Sequence, residues 1–433
     1  MQRSGEKGDL ALYAGAASFA ALNAAYARLW PHQRWGVWAV WGCGVGVVAS
    51  IAMVALAHRS PGSVRTSTRA AVLVVVVAIS VVAPLWVLAS ERADGVIGRA
   101  QSEVGVVEGM GDRLGHGDSV YPSARQIRDD ARRSGVGFKG YAPYEPMMAV
   151  FGLPRAWAGR SAATDARVAF LLVGAGAAAA AMVVSGMDAD RRLRAVQALA
   201  VLPPTALTIA TGGDDMPVIG LCLLGLALAS RRRWWQAGIV MGLAVAMKAI
   251  AAPVAFLLVV WVIRSRRGPE GAEDRSRALR ALVTGLVGVP LVTILPFVVS
   301  SPAALWDNLV RYPLGLATFR STAASPLPGH WIVEHVPGGH AITVILMAGV
   351  AVSVGWRILR RPPASIAGVA MLSAIGLAGA VLAAPASRFG YLLYPICLVA
   401  WGRLWQRSES EGAPSSAPIT ASPVTGSSAR PAR

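Results

Sequence analysis

The chain has 433 residues, 55% of them hydrophobic and only 15% charged, with a mean hydropathy of +0.51. Forty-one Lys and Arg against twenty-three Asp and Glu leave a formal charge of +18. A soluble domain carries about a quarter charged residues, so this composition excludes an ordinary soluble enzyme, a disordered chain and a disulfide-built scaffold. The basic excess does not signal nucleic acid either, because it punctuates apolar runs instead of lining one soluble face.

The N-terminal MQRSGEKGDL lacks a small-residue cleavage site and leads into a long apolar run, so it reads as a retained span. Crossing the hydrocarbon core takes about 20 apolar residues. Runs of this kind lie near 10–28, 36–57, 70–90, 166–186, 195–212, 216–230, 235–248, 249–263, 281–300, 340–358, 364–384 and 389–403. The expected fold is therefore all-α and polytopic, with about twelve transmembrane helices. The two halves around Lys248 are short, and joining them as one kinked helix would reverse everything after them. The arginines argue against joining. With twelve spans and a cytoplasmic N-terminus, eighteen arginines fall in the inner loops, whereas the short outer loops hold only Arg28, Arg34, Lys248 and Arg388. That is the positive-inside pattern. It places both termini in the cytoplasm and the chain in the cell (plasma) membrane. Cys43, Cys222 and Cys397 lie inside apolar runs without metal-ligand or CxxC spacing and read as small buried residues.

Two long loops are expected on the extracytoplasmic side, at about 91–165 and 301–339. Long structured loops are uncommon unless functional. Within the first, MMAVFGLPRAW is apolar but too short to span and suits a helix lying on the interface. The membrane-embedded domain is taken as 1–407. The Ser-, Pro-, Ala- and Thr-rich stretch 408–433 is expected to be a disordered cytoplasmic tail.

Ionisable groups near hydrocarbon are costly and therefore informative. This topology gathers Glu103, Glu108, Asp214, Asp215, Lys248, Arg311, Arg320, His330 and Arg388 on the outer side. Glu103 reads either as an exposed loop acid or as a general base toward a hydroxyl. Asp214 and Asp215, in TGGDDMP, either cap the following helix or belong to a site. Lys248 interrupts LAVAMKAIAAPVAF, where it either snorkels to the interface or holds a phosphate. Arg388, in APASRFGYLLYP, is an interfacial anchor or part of a cationic pocket with Lys248 and Arg320. The stretch RYPLGLATFRSTAASPLPGHW (311–331) is either a connector or a headgroup or sugar site. No clustered metal ligands are evident, and neither a metal nor a cofactor is expected.

Several of these stretches, in their order, resemble glycosyltransferase family 87, within the GT-C class of membrane glycosyltransferases. Glu103-Val104-Gly105-Val106-Val107 leads to Leu114 and Tyr121-Pro122. YAPYEPMMAVFGLPRAW (141–157) follows, and then GGDDMPVIGLCLLGLALASRRRWWQAGIVMGLAVAMK (212–248). The resemblance covers roughly 100–265. It implies transfer of a sugar, commonly mannose, from a polyprenyl-phosphate donor to an acceptor hydroxyl on a glycolipid, polysaccharide or protein. Transfer would be inverting and on the extracytoplasmic face, with no nucleic acid involved. The matching position for the family's catalytic acid, usually Asp, is Glu103 here, with Glu108 and Asp112 as neighbours. Lys248, Arg388, Arg320, His330, Asp214, Asp215 and Tyr144 become the substrate-binding candidates. The rival expectation is a multi-pass lipid or solute transporter or flippase, which would place charges deeper in the spans and break helices at matched positions of two halves.

Overall fold

The computed structural model describes residues 3–60, 64–135, 140–264, 272–319, 323 and 325–411, and every regular element among them is helical. Helices α1 (Arg3–Tyr26) and α2 (Trp30–Arg59) form an antiparallel hairpin. A Cβ at Gly36 of α2 would lie 2.5 Å from Ala24 N, so the absent side chain sets how closely the two backbones approach. Next come α3 (Thr66–Val77) and α4 (Ala83–Ala93), joined by a π turn into one continuous rod.

The first large loop holds α5 (Ser102–Gly115), α6 (Ala124–Ser134), a 3-10 turn (Pro146–Gly152) and α7 (Leu153–Ala158). Then follow α8 (Ala166–Val184), α9 (Ala189–Ala200), α10 (Pro203–Thr211), α11 (Asp215–Ser230), α12 (Trp234–Met247) and α13 (Ala252–Arg264). The last third comprises α14 (Ala272–Ser300), the short α15 (Pro302–Trp306), α16 (Pro328–His335), α17 (Gly339–Arg360), α18 (Ile366–Ala383) and α19 (Leu393–Glu411). Helix α19 continues four residues past the domain boundary expected at 407. The rest of the expected tail lies outside the described residues.

Each of the twelve apolar runs coincides with a helix or a pair of consecutive helices. Among the described residues, six helices are long and apolar enough to cross a membrane, or seven if α9 and α10, bent by 60°, count as one. Helices α11, α12 and α13 are shorter. Lys248 marks a reversal, not a kink. It sits beside the start of α11, while Trp261 near the end of α13 packs 5.9 Å from Trp234 at the start of α12. The chain thus runs away from one face along α11, returns along α12 and leaves again along α13.

Two faces result. On one, Asp9 of α1 accepts hydrogen bonds from Arg69 at 2.6 Å, Arg194 at 2.6 Å and Gln197 at 2.8 Å, tying α1 to α3 and α9. Both Asp9 and Arg69 are buried, and a buried charge persists only when paired and hydrogen-bonded. On the other face the two long loops close over the helix ends. The buried Asn308 side chain clamps them together, accepting from Ala142 N at 2.8 Å and donating to Pro122 O at 3.0 Å.

Helix α5 carries Glu103, Val104, Val107, Glu108, Met110 and Gly111 on its buried side, the spacing of one helical stripe. Its partner is the apolar segment 147–157, which is helical as expected but docked: a Cβ at Gly111 would lie 2.3 Å from Gly152 C. Glu108 serves this docking. It bonds Arg92 at 2.5 Å and Arg155 at 3.3 Å, and Arg92 and Arg167 both reach Asp165, at 3.0 and 2.8 Å. Asp165 in turn caps α8 through Arg167 N.

Candidate active site

Gln101 precedes α5. Its backbone N–H donates to Thr211 O at 2.8 Å and its side-chain amide to Thr211 Oγ1 at 2.7 Å. The same amide lies 2.7 Å from His32 Nε2. The start of α5 is thereby hung from the ends of α2 and α10, and Glu103 falls in the first helical turn, where the helix dipole suits a carboxylate. Glu103 is 5% exposed. Arg388, between α18 and α19, donates to Glu103 Oε2 at 2.5 Å, and its second amino group reaches Ser102 Oγ at 3.4 Å. The burial that would weaken the Arg388 cation is outweighed by Glu103, which pushes its pKa above the ordinary arginine value.

The Gly-Gly-Asp-Asp turn lies beside this pair. Gly213 has φ +88°, a conformation that glycine adopts without strain. The turn aims Asp214 and Asp215 at Lys248 instead of at their own helix: Asp214 occupies the N-cap of α11 without a side-chain capping bond. Lys248 Nζ is 2.8 Å from Asp214 Oδ2 and 2.6 Å from Asp215 Oδ1, and Tyr394 donates to Asp215 Oδ1 at 2.8 Å. Lys248 is 7% exposed, and the rings of Tyr144 and Tyr391 lie 5.1 and 5.6 Å from Nζ. It does not snorkel; two carboxylates enclose it.

These groups border a cavity of about 350 Å³ lined by Glu103, Tyr144, Glu145, Lys248, Arg388 and Tyr391 among others. Tyr141 and Tyr312, stacked at 4.2 Å, form part of its wall. Glu103, Asp214 and Asp215 against Lys248 and Arg388 leave a formal charge of −1, before Glu145 is counted. Burial pushes the Glu145 carboxyl up to about 7, from an ordinary value of 4.5. A carboxyl raised in this way holds its proton more tightly folded than unfolded. Its contribution to stability is complete below pH 4.5 and is lost as pH rises through about 7.

Six of the sequence candidates therefore meet: Glu103, Tyr144, Lys248 and Arg388 line the cavity, with Asp214 and Asp215 behind Lys248. His330 does not line it. Its ring contacts Pro385 O at 3.1 Å and Glu334 at 3.0 Å. Arg311 bonds Asp307 at 3.0 Å, Asp112 is exposed beside His116, and Arg320 lies outside the described residues. Sequence reasoning missed Glu145 as a site group, although it directly follows Tyr144. It also missed the roles of Tyr391 and Tyr394, three and six residues beyond Arg388.

The model of glycosyltransferase family 87 matches residues 141–385, which include Tyr144, Asp214, Asp215 and Lys248 but neither Glu103 nor Arg388. No curated protein matches the chain. Among solved structures, ArnT from Cupriavidus metallidurans bound to undecaprenyl phosphate is similar at 19% identity and a TM-score of 0.44, with 72% of this chain and 56% of that chain covered. The present chain thus spans little more than half the length of that protein.

Proposed function

The chain belongs to glycosyltransferase family 87, and on that premise we propose that it moves a sugar, mannose in our reading, from a polyprenyl phosphate to an acceptor hydroxyl. The observation that carries this reading is a buried carboxylate, Glu103, bonded to an arginine on the wall of a cavity at the helix ends.

The chemistry follows from those two groups. The acceptor oxygen attacks the anomeric carbon as the bond from that carbon to the phosphate oxygen breaks. The leaving phosphate keeps the bonding electron pair, and Glu103 takes the acceptor proton. Displacement in one step inverts the anomeric centre. A phosphate leaving group is a weak base and needs no general acid. It does need a cation as charge develops. Arg388 serves here, shifting its guanidinium from Glu103 to the phosphate and so releasing the carboxylate for its proton. Lys248, between two aspartates, holds the turn and the cavity wall. Membrane confinement brings lipid donor and acceptor together in orientation.

The reading is tested with membranes containing the full chain and labelled sugars on defined polyprenyl phosphates. Transfer of label to endogenous acceptor, absent from membranes lacking the protein, is expected. No transfer from any polyprenyl-phosphate sugar would sink it.

Glu145 adds a pH dependence. Its ionisation takes the formal charge of the cavity group from −1 to −2, against an incoming phosphate. The KM for donor is therefore expected to rise as pH passes through about 7, and Glu145→Gln should flatten that rise. A KM profile that is unchanged by this substitution would remove Glu145 from donor binding.

A further inference from the structure

Arg388 is the cation on which the proposed reaction relies, and its sequence neighbours do little to fix it. Its backbone is extended, with φ −116° and ψ 141°, and it occupies the N-cap of the 3-10 turn Phe389–Leu392 without a side-chain capping bond. An arginine side chain has no acceptor for the free N–H groups of a helix start, and this one is directed at Glu103. The missing acceptor comes from 64 residues away: Ser325 Oγ accepts from Phe389 N at 2.9 Å. The Ser325 N–H donates to Ser387 O at 3.1 Å. One serine thus bonds the backbone on both sides of Arg388.

The local sequence stiffens that serine. It opens Ser325-Pro326-Leu327-Pro328, and a residue before proline is pushed to extended backbone. Leu327 is extended accordingly, with φ −85° and ψ 157°, and its N–H returns to Ser325 O at 2.6 Å. Pro328 then starts α16, whose first turn packs on the other end of the Arg388 segment. A Cβ at Gly329 would lie 2.4 Å from Ala383 O and from Ala384 O, and the His330 ring lies 3.1 Å from Pro385 O. Residues 325–330 and 383–389 therefore brace each other along their length. Both segments adjoin the catalytic cavity, the first through the nearby Ala323 and the second through Ala386.

We infer that Ser325 is a positioning residue for sugar transfer: it fixes the backbone from which Arg388 moves its guanidinium between Glu103 and the leaving phosphate. This role rests on the reaction proposed above. A group that meets charge developing in the transition state acts best when its support is already in place. Holding residues 387 and 389 confines the movement to the side-chain torsions of Arg388.

The test compares the full chain with Ser325→Ala, which removes the acceptor of the Phe389 N–H but keeps the backbone bond to Ser387, and with Ser325→Thr, which keeps the hydroxyl. The donor is the polyprenyl-phosphate sugar that supports transfer by the wild type. The kcat of Ser325→Ala should fall about tenfold, the effect of one hydrogen bond lost behind a group that acts in the transition state. Its KM for donor and its unfolding midpoint should stay near those of the wild type, and Ser325→Thr should recover most of the kcat. Hydrogen exchange of the detergent-solubilised chain should quicken at residues 386–391 in Ser325→Ala and not in Ser325→Thr. A wild type inactive toward every polyprenyl-phosphate sugar would remove the reaction and this role with it. With an active wild type, the role alone is overturned by any of four results: an unchanged kcat or unchanged exchange in Ser325→Ala, a loss confined to KM, a fall in kcat matched by a fall in the unfolding midpoint, or a loss that Ser325→Thr does not recover.

Discussion

Glu103→Gln is expected to lower sugar transfer by about 10²–10⁴-fold, the range over which a positioned general base accelerates a reaction. Glutamine keeps the size and planarity of the side chain, and its amide oxygen can still accept from Arg388. The first turn of α5 is held independently by Gln101, Thr211 and His32. The helical bundle should therefore keep its size-exclusion profile and unfold near the wild-type midpoint, which separates loss of chemistry from loss of fold. Glu108 is not an alternative base, because Arg92, Arg155 and the helix start at Ala166 already share its carboxylate. Wild-type turnover by Glu103→Gln would pass the base role to the other carboxyl on the cavity wall, Glu145.

Lys248→Met should instead act on stability, by about 3–5 kcal/mol. The substitution leaves Asp214 and Asp215, 2% and 3% exposed, side by side without their cation. Removing one partner of a buried ion pair costs more than the pair contributes, because the remaining charge has no solvent. The penalty should fall when Asp214→Asn accompanies Lys248→Met, since one uncompensated charge then disappears. Thermal unfolding in detergent reads both variants. An unchanged midpoint for Lys248→Met would show that the aspartates hold the turn without it, and would return Lys248 to the phosphate contacts.

These two variants separate residues that look equivalent in one dimension. Lys248 and Arg388 are both lone cations at the ends of apolar runs, and both read as phosphate ligands. Their positions were legible because an ionisable group interrupting an apolar stretch is conspicuous. Their commitments were not. Lys248 takes two carboxylates from a turn 33 residues away, while Arg388 takes one from a helix 285 residues away. Glu145 was overlooked for a similar reason: a carboxyl in a polar loop looks solvated until the α12–α13 break folds over it. Glu103 looked equally exposed, and its burial depends on contacts of the Gln101–Ser102 start with helices far along the chain.

The sequence by itself determined where the helices lie and which helix ends gather basic residues. Hydropathy and charge are local properties, so twelve apolar runs and their arginine-rich connections can be counted along the chain. It also selected Glu103, Tyr144, Lys248 and Arg388 of the cavity wall, though not Glu145 or Tyr391. Only the tertiary structure decided the division of labour among them. An acid and a base neutralise one another over about 3 Å, and those distances are set by helix packing and by the glycine contacts that allow α5 to dock. That packing turned an expected cationic pocket into one where Arg388 is paired with Glu103 and Lys248 with Asp214 and Asp215.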